Sequence, residues 1–171
     1  MADLRTLISS DQLQARIAEL AEEIRRDYGE TPIHLVGVLK GCVYFMADLS
    51  RILGPNVTLD FCQVSSYGDG TQSSGVVQIR KDLDINIMGK HVLIVEDIVD
   101  TGLTLKHLRE LFMTRHPASL KVVALLEKKQ ALQNDVAVEY TGFEIPNEFV
   151  VGYGLDQAER FRNLPFIGVI V

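Results

Sequence analysis

Short apolar runs that alternate with amphipathic segments restrict the fold of this chain more than any other feature. The runs that predict buried strands are IHLVGVLKG (33–41), HVLIV (91–95) and LKVVALL (120–126). Helical spacing of apolar residues follows the first two runs, in VYFMADLSRIL (43–53) and in LTLKHLRELFMTRH (103–116). This alternation predicts an α/β fold with an open, mostly parallel twisted sheet flanked by helices. In such folds ligands bind beyond the carboxyl ends of the strands.

The rest of the chain predicts one more helix, further strands and one polar loop. The helix is capped by Ser10 or Asp11 and ends near Tyr28. Its apolar positions, three or four residues apart, are Leu13, Ile17, Leu20 and Ile24. Further strands are predicted at 57–64, 76–84 and 148–154, and a mobile loop at 65–75. With 171 residues and no repeat or linker, we expect a single domain over residues 1–171.

Charge and composition argue against several classes of protein. The chain has 17 basic and 23 acidic residues and a net charge of −6, which disfavours a broad nucleic-acid-binding surface. Its two cysteines, Cys42 and Cys62, form no Cys-x-x-Cys motif and indicate neither a zinc site nor a disulfide framework. No apolar signal region begins the chain, and no apolar run approaches the roughly 20 residues of a membrane span. We expect a cytoplasmic protein that binds neither nucleic acid nor membrane.

The stretch HVLIVEDIVDTGLTL (91–105) places three carboxylates between a buried strand and a helix. We expect Glu96, Asp97, Asp100, Thr101 and Thr104 to lie in the loop that joins the two. Adjacent side chains on extended backbone leave on opposite sides, so Glu96 and Asp97 need not repel each other directly and could grip two sides of a polyol. The segment that starts at Asp100 offers two hydroxyls, a glycine and free N–H groups at a helix start, which suit a phosphate.

Other motifs and structural alternatives bear on the same stretch. The chain has no G-x-x-x-x-G-K-[ST] and no G-x-G-x-x-G after a strand, which argues against ATPases and nicotinamide-dinucleotide enzymes. The carboxylates beside the phosphate site suggest the hydroxyls of a sugar, or a divalent ion. The alternatives are that Asp100 or Thr101 only caps the helix, and that Glu96 and Asp97 are solvated residues after a strand.

In this order of residues, VLIVEDIVDTGLT (92–104) resembles the phosphoribosyl pyrophosphate (PRPP) binding motif of the type I phosphoribosyltransferases. Four further stretches are similar to the hypoxanthine-guanine branch of that family: VLKG (38–41), SSYG (65–68), LLEK (125–128) and GFEIPNEFVVGYGLD running into FR (142–162). The resemblance implies the type I phosphoribosyltransferase fold, with a small hood formed by the N-terminal helix and the residues after about 130. It also implies Mg²⁺ as cofactor and a homodimer or homotetramer.

For PRPP, the resemblance implies contacts from the motif and from two other segments. Glu96 and Asp97 would bind the ribose hydroxyls directly or through Mg²⁺, and Asp156 would be a further magnesium ligand. Asp100 would be the general base for the purine N7 proton. A non-proline cis peptide before Lys40 is typical of the family. The implied PRPP-binding and phosphate-binding residues are Lys40, Gly41, Glu96, Asp97, Ile98, Val99, Asp100, Thr101, Gly102, Leu103, Thr104 and Arg162.

For the purine, the implied contacts lie in the last third of the chain. The residues are Lys128, Phe149, Val150 and Asp156. Lys128 would donate to the 6-oxo group and Phe149 would stack on the base. An ammonium prefers an acceptor, so such a site favours 6-oxopurines over 6-aminopurines.

Two matches and two departures complete the resemblance. Ser66 and Tyr67 match the family's lid, which excludes water from the reactive sugar. Cys42 stands where many relatives have a glycine. Relatives often place an arginine a few residues after the purine lysine, where this chain has Leu132; Lys129 is the alternative source of that charge.

The resemblance implies purine salvage: PRPP and hypoxanthine or guanine would give IMP or GMP and pyrophosphate. One alternative is a regulator that senses PRPP and binds nucleic acid, although the net charge offers it no obvious basic surface. Another is a phosphoribosyltransferase for xanthine, adenine or a pyrimidine, which would differ only in the base pocket.

Overall fold

The computed structural model describes residues 3–66 and 76–171 of the chain. The elements in chain order are β1 (Leu4–Ile8), α1 (Ser10–Tyr28), β2 (Ile33–Leu39), α2 (Val43–Leu53), β3 (Val57–Ser66), β4 (Val77–Lys81), β5 (His91–Val99), α3 (Leu103–Met113), β6 (Ser119–Glu127), a 3₁₀ turn (Lys129–Ala131), β7 (Tyr140–Glu144), β8 (Val150–Val151) and β9 (Ile167–Ile170). Tyr67, predicted in the lid, and the rest of that loop up to residue 75 lie outside the described residues.

A six-stranded sheet in the order β4-β3-β2-β5-β6-β7 forms the centre of the fold. Its described strands run parallel except for β4, which pairs antiparallel with β3. Ile33 lies opposite both Val57 and His91, and His91 lies opposite Ser119, so the amino ends of four strands are level. The carboxyl ends therefore share one edge, and the predicted open, mostly parallel α/β sheet is confirmed.

Helices cover both faces of this sheet with apolar side chains. On one face, α1 and α2 bury Ile17, Leu20, Phe45 and Leu49 against Leu35, Leu93 and Val95. On the other face, α3 buries Leu105, Leu108 and Phe112 against Val36, Val92, Ile94 and Val122. Neighbouring strand residues alternate between these two clusters, as a strand buried on both faces requires. Each buried Leu or Phe stabilises the fold by roughly 1.5–3 kcal/mol.

Ser9 caps α1, one residue before the predicted Ser10 or Asp11. The Gln12 N–H donates to Ser9 Oγ at 3.2 Å, and the Ser9 N–H donates to Gln12 Oε1 at 2.8 Å. This reciprocal capping box fixes the start of the helix, which the adjacent serines and aspartate left open. The predicted apolar positions are confirmed, since Leu13, Ile17, Leu20 and Ile24 are all buried.

The two ends of the chain meet in a second sheet, in the order β1-β9-β8, with antiparallel pairing. The predicted hood therefore differs in its members. Its N-terminal part is β1 rather than α1, because the apolar face of α1 packs with α2 on the main sheet. Residues 140–144, also assigned to the hood, form the edge strand β7 of the main sheet instead.

Four elements differ in extent from the predictions, and one of them, β4, spans only Val77–Lys81 of the predicted residues 76–84. β5 continues to Val99 rather than ending at Val95, because its backbone keeps pairing with β6 as far as Glu127. α3 ends at Met113, and the backbone turns left-handed at His116 with φ +55°. β8 is only two residues long, because Gly152 and Gly154 follow with φ +102° and +104°. In the described part of the chain, no helix has the length and apolarity to cross a membrane.

A buried carboxylate ties the start of the β4–β5 connection to β3. Asp60 accepts the N–H groups of Phe61 at 2.8 Å and of Asp84 and Ile85 at 3.0 Å. Burial alone would raise the pKa of Asp60, but these N–H donors outweigh it and hold that pKa below its ordinary value of 3.8. His34 Nε2 lies 3.7 Å from the same carboxylate, and burial lowers the pKa of that imidazole.

Candidate active site

The acidic pair, Glu96 and Asp97, lies on the last part of β5. The prediction that the pair lies in the loop after the strand is therefore wrong. Glu96 is buried and borders a small cavity next to Leu105, whereas Asp97 lies against Gly41. The two side chains thus leave the strand on different sides, as alternation requires. Each is held at the carboxyl edge of the sheet, the edge at which α/β folds bind their ligands.

The two carboxylates still interact electrostatically, although their side chains leave the strand on different sides. Burial raises the pKa of Glu96 well above its usual range, and the negative charge of Asp97 raises it further. Burial also raises the pKa of Asp97, although the Ile98 N–H donates to Asp97 Oδ1 at 2.7 Å and opposes that shift. A cation, or hydroxyl groups that donate to the pair, would relieve this repulsion.

Residues 98–105 and Glu96 enclose the cavity of about 110 Å³ that follows the strand. Gly102, with φ +82°, is the N-cap of α3 and supplies no side-chain cap. The Leu103 N–H donates weakly to Thr101 Oγ1 at 3.4 Å, while other N–H groups of the first turn have no side-chain cap. The size of the cavity, the hydroxyls of Thr101 and Thr104 and the start of α3 suit a phosphate. The residues predicted to bind phosphate in this segment thus line one cavity.

The segment after Lys128 supports this phosphate loop from outside. The Thr101 carbonyl accepts hydrogen bonds from the Gln133 N–H at 3.0 Å and from the Asn134 side chain at 3.1 Å. A Cβ on Gly102 would lie 3.4 Å from Leu132, so Leu132 packs against the loop. Lys129 bonds to Glu144 at 2.9 Å on the exposed surface. Its ammonium is therefore directed to Glu144.

A second loop, Leu39-Lys40-Gly41, reaches the same edge from the end of β2. A non-proline cis peptide joins Leu39 to Lys40, as the family resemblance implied. A Cβ on Gly41 would lie 1.6 Å from Asp97 Oδ2, and a Cβ on Gly154 would lie 2.0 Å from the Gly41 carbonyl oxygen. Two glycines thus let this loop touch both the acidic pair and the segment that leads to Asp156.

Cys42 follows this loop and is accommodated by a glycine on β2. A Cβ on Gly37 would lie 2.8 Å from Cys42 Sγ, so the absence of a side chain at residue 37 makes room for the sulfur. Burial raises the pKa of the Cys42 thiol, and the charges of Asp97 and Glu96 raise it further. The buried Cys42 side chain therefore serves as a small packing group.

Arg162 and Asp156 form an ion pair at the far side of the Lys40 loop. Arg162 Nη2 lies 3.0 Å from Asp156 Oδ1, and Nη1 donates to the Gly154 carbonyl at 2.7 Å. Arg162 Nε is buried and has no hydrogen-bond partner among the described residues. Sequence reasoning missed Glu159, which bonds to Lys40 at 2.9 Å and to Arg162 at 3.3 Å. The Lys40 ammonium holds the pKa of Glu159 below its usual range.

The predicted purine lysine and the predicted general base are in contact. Lys128 Nζ donates to Asp100 Oδ2 at 3.3 Å, and the Lys128 side chain is only 8% exposed while Asp100 is 51% exposed. Lys128 is therefore a buried side chain and not a solvated one. Phe149 is 58% exposed and leads into buried Val150, so its ring is free to stack on a ligand. The predicted lid residue Ser66 ends β3, and its side chain lies outside the described part.

A family model, the phosphoribosyl transferase domain, matches residues 9–158. The chain belongs to the phosphoribosyltransferase family. The hypoxanthine-guanine phosphoribosyltransferase of Bacillus subtilis is 49% identical over 166 residues, which cover 97% of this chain and 92% of that protein. The same enzyme of Mycobacterium tuberculosis is 51% identical over 170 residues, covering 96% and 84%. The resemblance to the hypoxanthine-guanine branch is thereby confirmed.

Solved structures of the same branch have the same fold. The hypoxanthine phosphoribosyltransferase of Staphylococcus aureus superposes with a TM-score of 0.93 at 45% identity, covering 98% of this chain and 91% of that one. A hypoxanthine-guanine phosphoribosyltransferase from Bacillus anthracis gives a TM-score of 0.92 at 45% identity and covers all of both chains. The predicted type I phosphoribosyltransferase fold is confirmed.

The carboxylates of the site could supply only part of the coordination shell of the Mg²⁺ that the family resemblance implies. Across residues 3–66 and 76–171, no group of three or more His, Cys, Asp and Glu side chains is placed to hold a metal ion. Mg²⁺ commonly takes one or two carboxylates and completes its shell with water and substrate phosphates. Asp97 and Asp156 flank the Gly41–Gly154 contact, where a diphosphate would supply those oxygens. The magnesium roles of Glu96, Asp97 and Asp156 stay predictions.

Proposed function

We propose that this chain acts in purine salvage, transferring the 5-phosphoribosyl group of PRPP to N9 of hypoxanthine or guanine to give IMP or GMP and pyrophosphate. The observation that carries the proposal is the contact of buried Lys128 with Asp100, 3.3 Å apart at the end of β5. A 6-oxopurine presents O6 and N7 on one edge. A donor for O6 beside an acceptor for the N7 proton matches that edge. The names of relatives about half identical support the same activity.

The proposed reaction exchanges one bond at C1′ of the ribose for another. Purine N9 attacks C1′ while the bond from C1′ to the pyrophosphate oxygen breaks, and its electron pair leaves with pyrophosphate. The proton on purine N7 passes to the Asp100 carboxylate. Positive charge develops on the ribose in this step, and the carboxylates of Glu96, Asp97 and Asp100 stabilise it.

Positioning of PRPP is assigned to three segments. The phosphate loop from Asp100 to Thr104 holds the 5′-phosphate, and the acidic pair binds the ribose hydroxyls. Lys40, Gly41 and Arg162 bind the pyrophosphate group. Mg²⁺, held by the carboxylates together with PRPP, would supply positive charge to the leaving group.

Base selection follows from the chemistry of Lys128. An ammonium donates to a 6-oxo group but leaves a 6-amino group without an acceptor. Phe149 stacks on the ring, and Val150 and Asp156 face its remaining edge. Sites built around such a hydrogen bond reject the analogue that lacks it, so we expect adenine to be used roughly 10⁴–10⁵-fold less efficiently than hypoxanthine.

Steady-state kcat/KM values for hypoxanthine, guanine, xanthine and adenine, each with PRPP and Mg²⁺, test the proposal. We expect the highest values for hypoxanthine and guanine and the lowest for adenine. A highest value for xanthine would reassign the enzyme to another base. Binding of PRPP without turnover of any purine would favour the PRPP-sensing regulator instead.

We also propose a cytoplasmic homodimer or homotetramer. Val43 and Tyr44 at the start of α2 are 42% and 40% exposed, directly after the loop that carries Lys40. An exposed apolar pair beside a catalytic loop is suited to contact with a second copy. Light scattering coupled to gel filtration should give a mass of two or four chains, and a monomer would contradict this assignment.

A further inference from the structure

One carboxylate, that of Glu159, pairs with both cations that are assigned to pyrophosphate, while Asp156 pairs with Arg162 alone, at 3.0 Å. Glu159 Oε2 accepts from Lys40 Nζ at 2.9 Å, and Glu159 Oε1 accepts from Arg162 Nη2 at 3.3 Å. The two oxygens of one side chain therefore occupy donors from two segments more than a hundred residues apart. Phosphate oxygens would seek the same donors.

The backbone around Glu159 holds this carboxylate in place. Ala158, Glu159 and Phe161 have φ of +49°, +65° and +75°, a left-handed conformation that residues other than glycine adopt rarely. Gln157 and Arg160 exchange backbone hydrogen bonds of 3.1 and 3.0 Å across the turn. The Glu159 N–H also donates to Asp156 Oδ2 at 2.9 Å. The turn thus presents the carboxylate as part of the site, although its side chain is 64% exposed.

We propose that Glu159 is a counter-anion that occupies Lys40 and Arg162 when no diphosphate is bound and competes with pyrophosphate for them. This inference rests on the proposed function, which assigns those cations to pyrophosphate. Binding of PRPP or pyrophosphate displaces the carboxylate, and its return to the two cations assists pyrophosphate release. Glu159 therefore weakens diphosphate binding and does not touch the purine.

Binding of pyrophosphate, with Mg²⁺ present, to the wild-type chain and to Glu159→Gln tests the proposal by calorimetry. Glutamine keeps the shape and removes the charge. Exposed ion pairs shift equilibria by up to about fivefold each, so we expect about two- to tenfold tighter pyrophosphate binding. The gain should shrink between about 50 mM and 500 mM salt, since screening weakens exposed pairs.

Glu22→Gln is the matched control. Glu22 is 65% exposed and pairs with Arg25 at 2.7 Å on α1, so this substitution removes the same charge from an equally exposed ion pair away from the site. We expect it to leave pyrophosphate binding unchanged. Kinetics supply a second readout: Glu159→Gln should lower the KM for PRPP and strengthen inhibition by pyrophosphate, with the KM for hypoxanthine unchanged.

Unchanged or weaker pyrophosphate binding by Glu159→Gln at low salt would overturn the inference, provided that the wild type binds pyrophosphate. The variant Glu159→Ala repeats the test without the amide group that Glu159→Gln introduces. It should also bind pyrophosphate more tightly than the wild type. Failure of the proposed function is a separate result. It would appear as a wild-type protein that consumes no purine with PRPP, whatever the effect of residue 159 on pyrophosphate.

Discussion

Substitution of Gly41 by alanine should inactivate the site while leaving the fold nearly intact. The new Cβ would lie 1.6 Å from Asp97 Oδ2, whereas real Cβ contacts are essentially never shorter than 3.0 Å, so the carboxylate must move by about 1.4 Å. A misplacement of about 1 Å can cost roughly 100-fold in rate. We therefore expect kcat/KM for PRPP to fall about 100-fold, or about 2.7 kcal/mol of transition-state stabilisation.

The stability of this variant should change little, since residue 41 does not have a positive φ and the clashing atom is the end of a side chain. Urea unfolding followed by circular dichroism should show that the free energy of unfolding falls by less than about 1 kcal/mol.

Gly29→Ala is the control: its Cβ meets nothing within 4 Å, but its φ is +55°. It should lose about 1–2 kcal/mol of stability and keep full activity. Activity within threefold of wild type in Gly41→Ala would refute the reasoning.

Three further substitutions test separate parts of the structure. Asp100→Asn should lower kcat by roughly 10²–10⁴-fold, because the side chain keeps its shape but can no longer accept a proton. PRPP binding, measured by calorimetry, should change little. Near-normal turnover would reject Asp100 as the general base. Lys128→Met should lower the hypoxanthine-to-adenine ratio of kcat/KM by at least about tenfold, and an unchanged ratio would remove Lys128 from base selection. Asp60→Asn should cost about 1–3 kcal/mol in urea unfolding at pH 7. Because the native pKa of Asp60 is depressed, the stabilisation by its carboxylate is present above pH 3.8 and is lost as pH falls through the lower native pKa. The difference in unfolding free energy between wild type and Asp60→Asn should therefore narrow at low pH, and a constant difference would contradict this.

Local patterns were sufficient to predict the central strands of the main sheet, but not its edge strand β7. The mainly apolar runs in β2, β5 and β6 are almost entirely buried, as their composition required. The end of β5 was misplaced because Glu96 and Asp97 are poor candidates for a buried strand by residue type. Backbone pairing with β6 continues through both acids to Val99, and that pairing cannot be read from the β5 sequence alone.

The short strands at the chain ends could not be predicted from their own residues. LRTLI in β1 is five residues long and pairs with β9, more than 150 positions away. β7 contains Gly142, a residue depleted from strands, yet a Cβ there would lie 2.5 Å from the Leu125 carbonyl. Glycine is therefore required at that position by close approach of β6. In both cases the cause is a long-range contact, which short-range patterns do not contain.

The acids and cations of the candidate site were assigned by resemblance, but the contact that brings their segments together depends on glycine. Lys40 and Arg162 come from segments that meet where a Cβ on Gly154 would lie 2.0 Å from the Gly41 carbonyl oxygen, and Gly154 has φ +104°. In a sequence each glycine marks only a turn. In the fold, any side chain at residue 154 would both strain the backbone and separate the two segments. We infer that the spacing of the two pyrophosphate cations is set by this glycine contact rather than by the cations themselves, since their side chains are long and flexible.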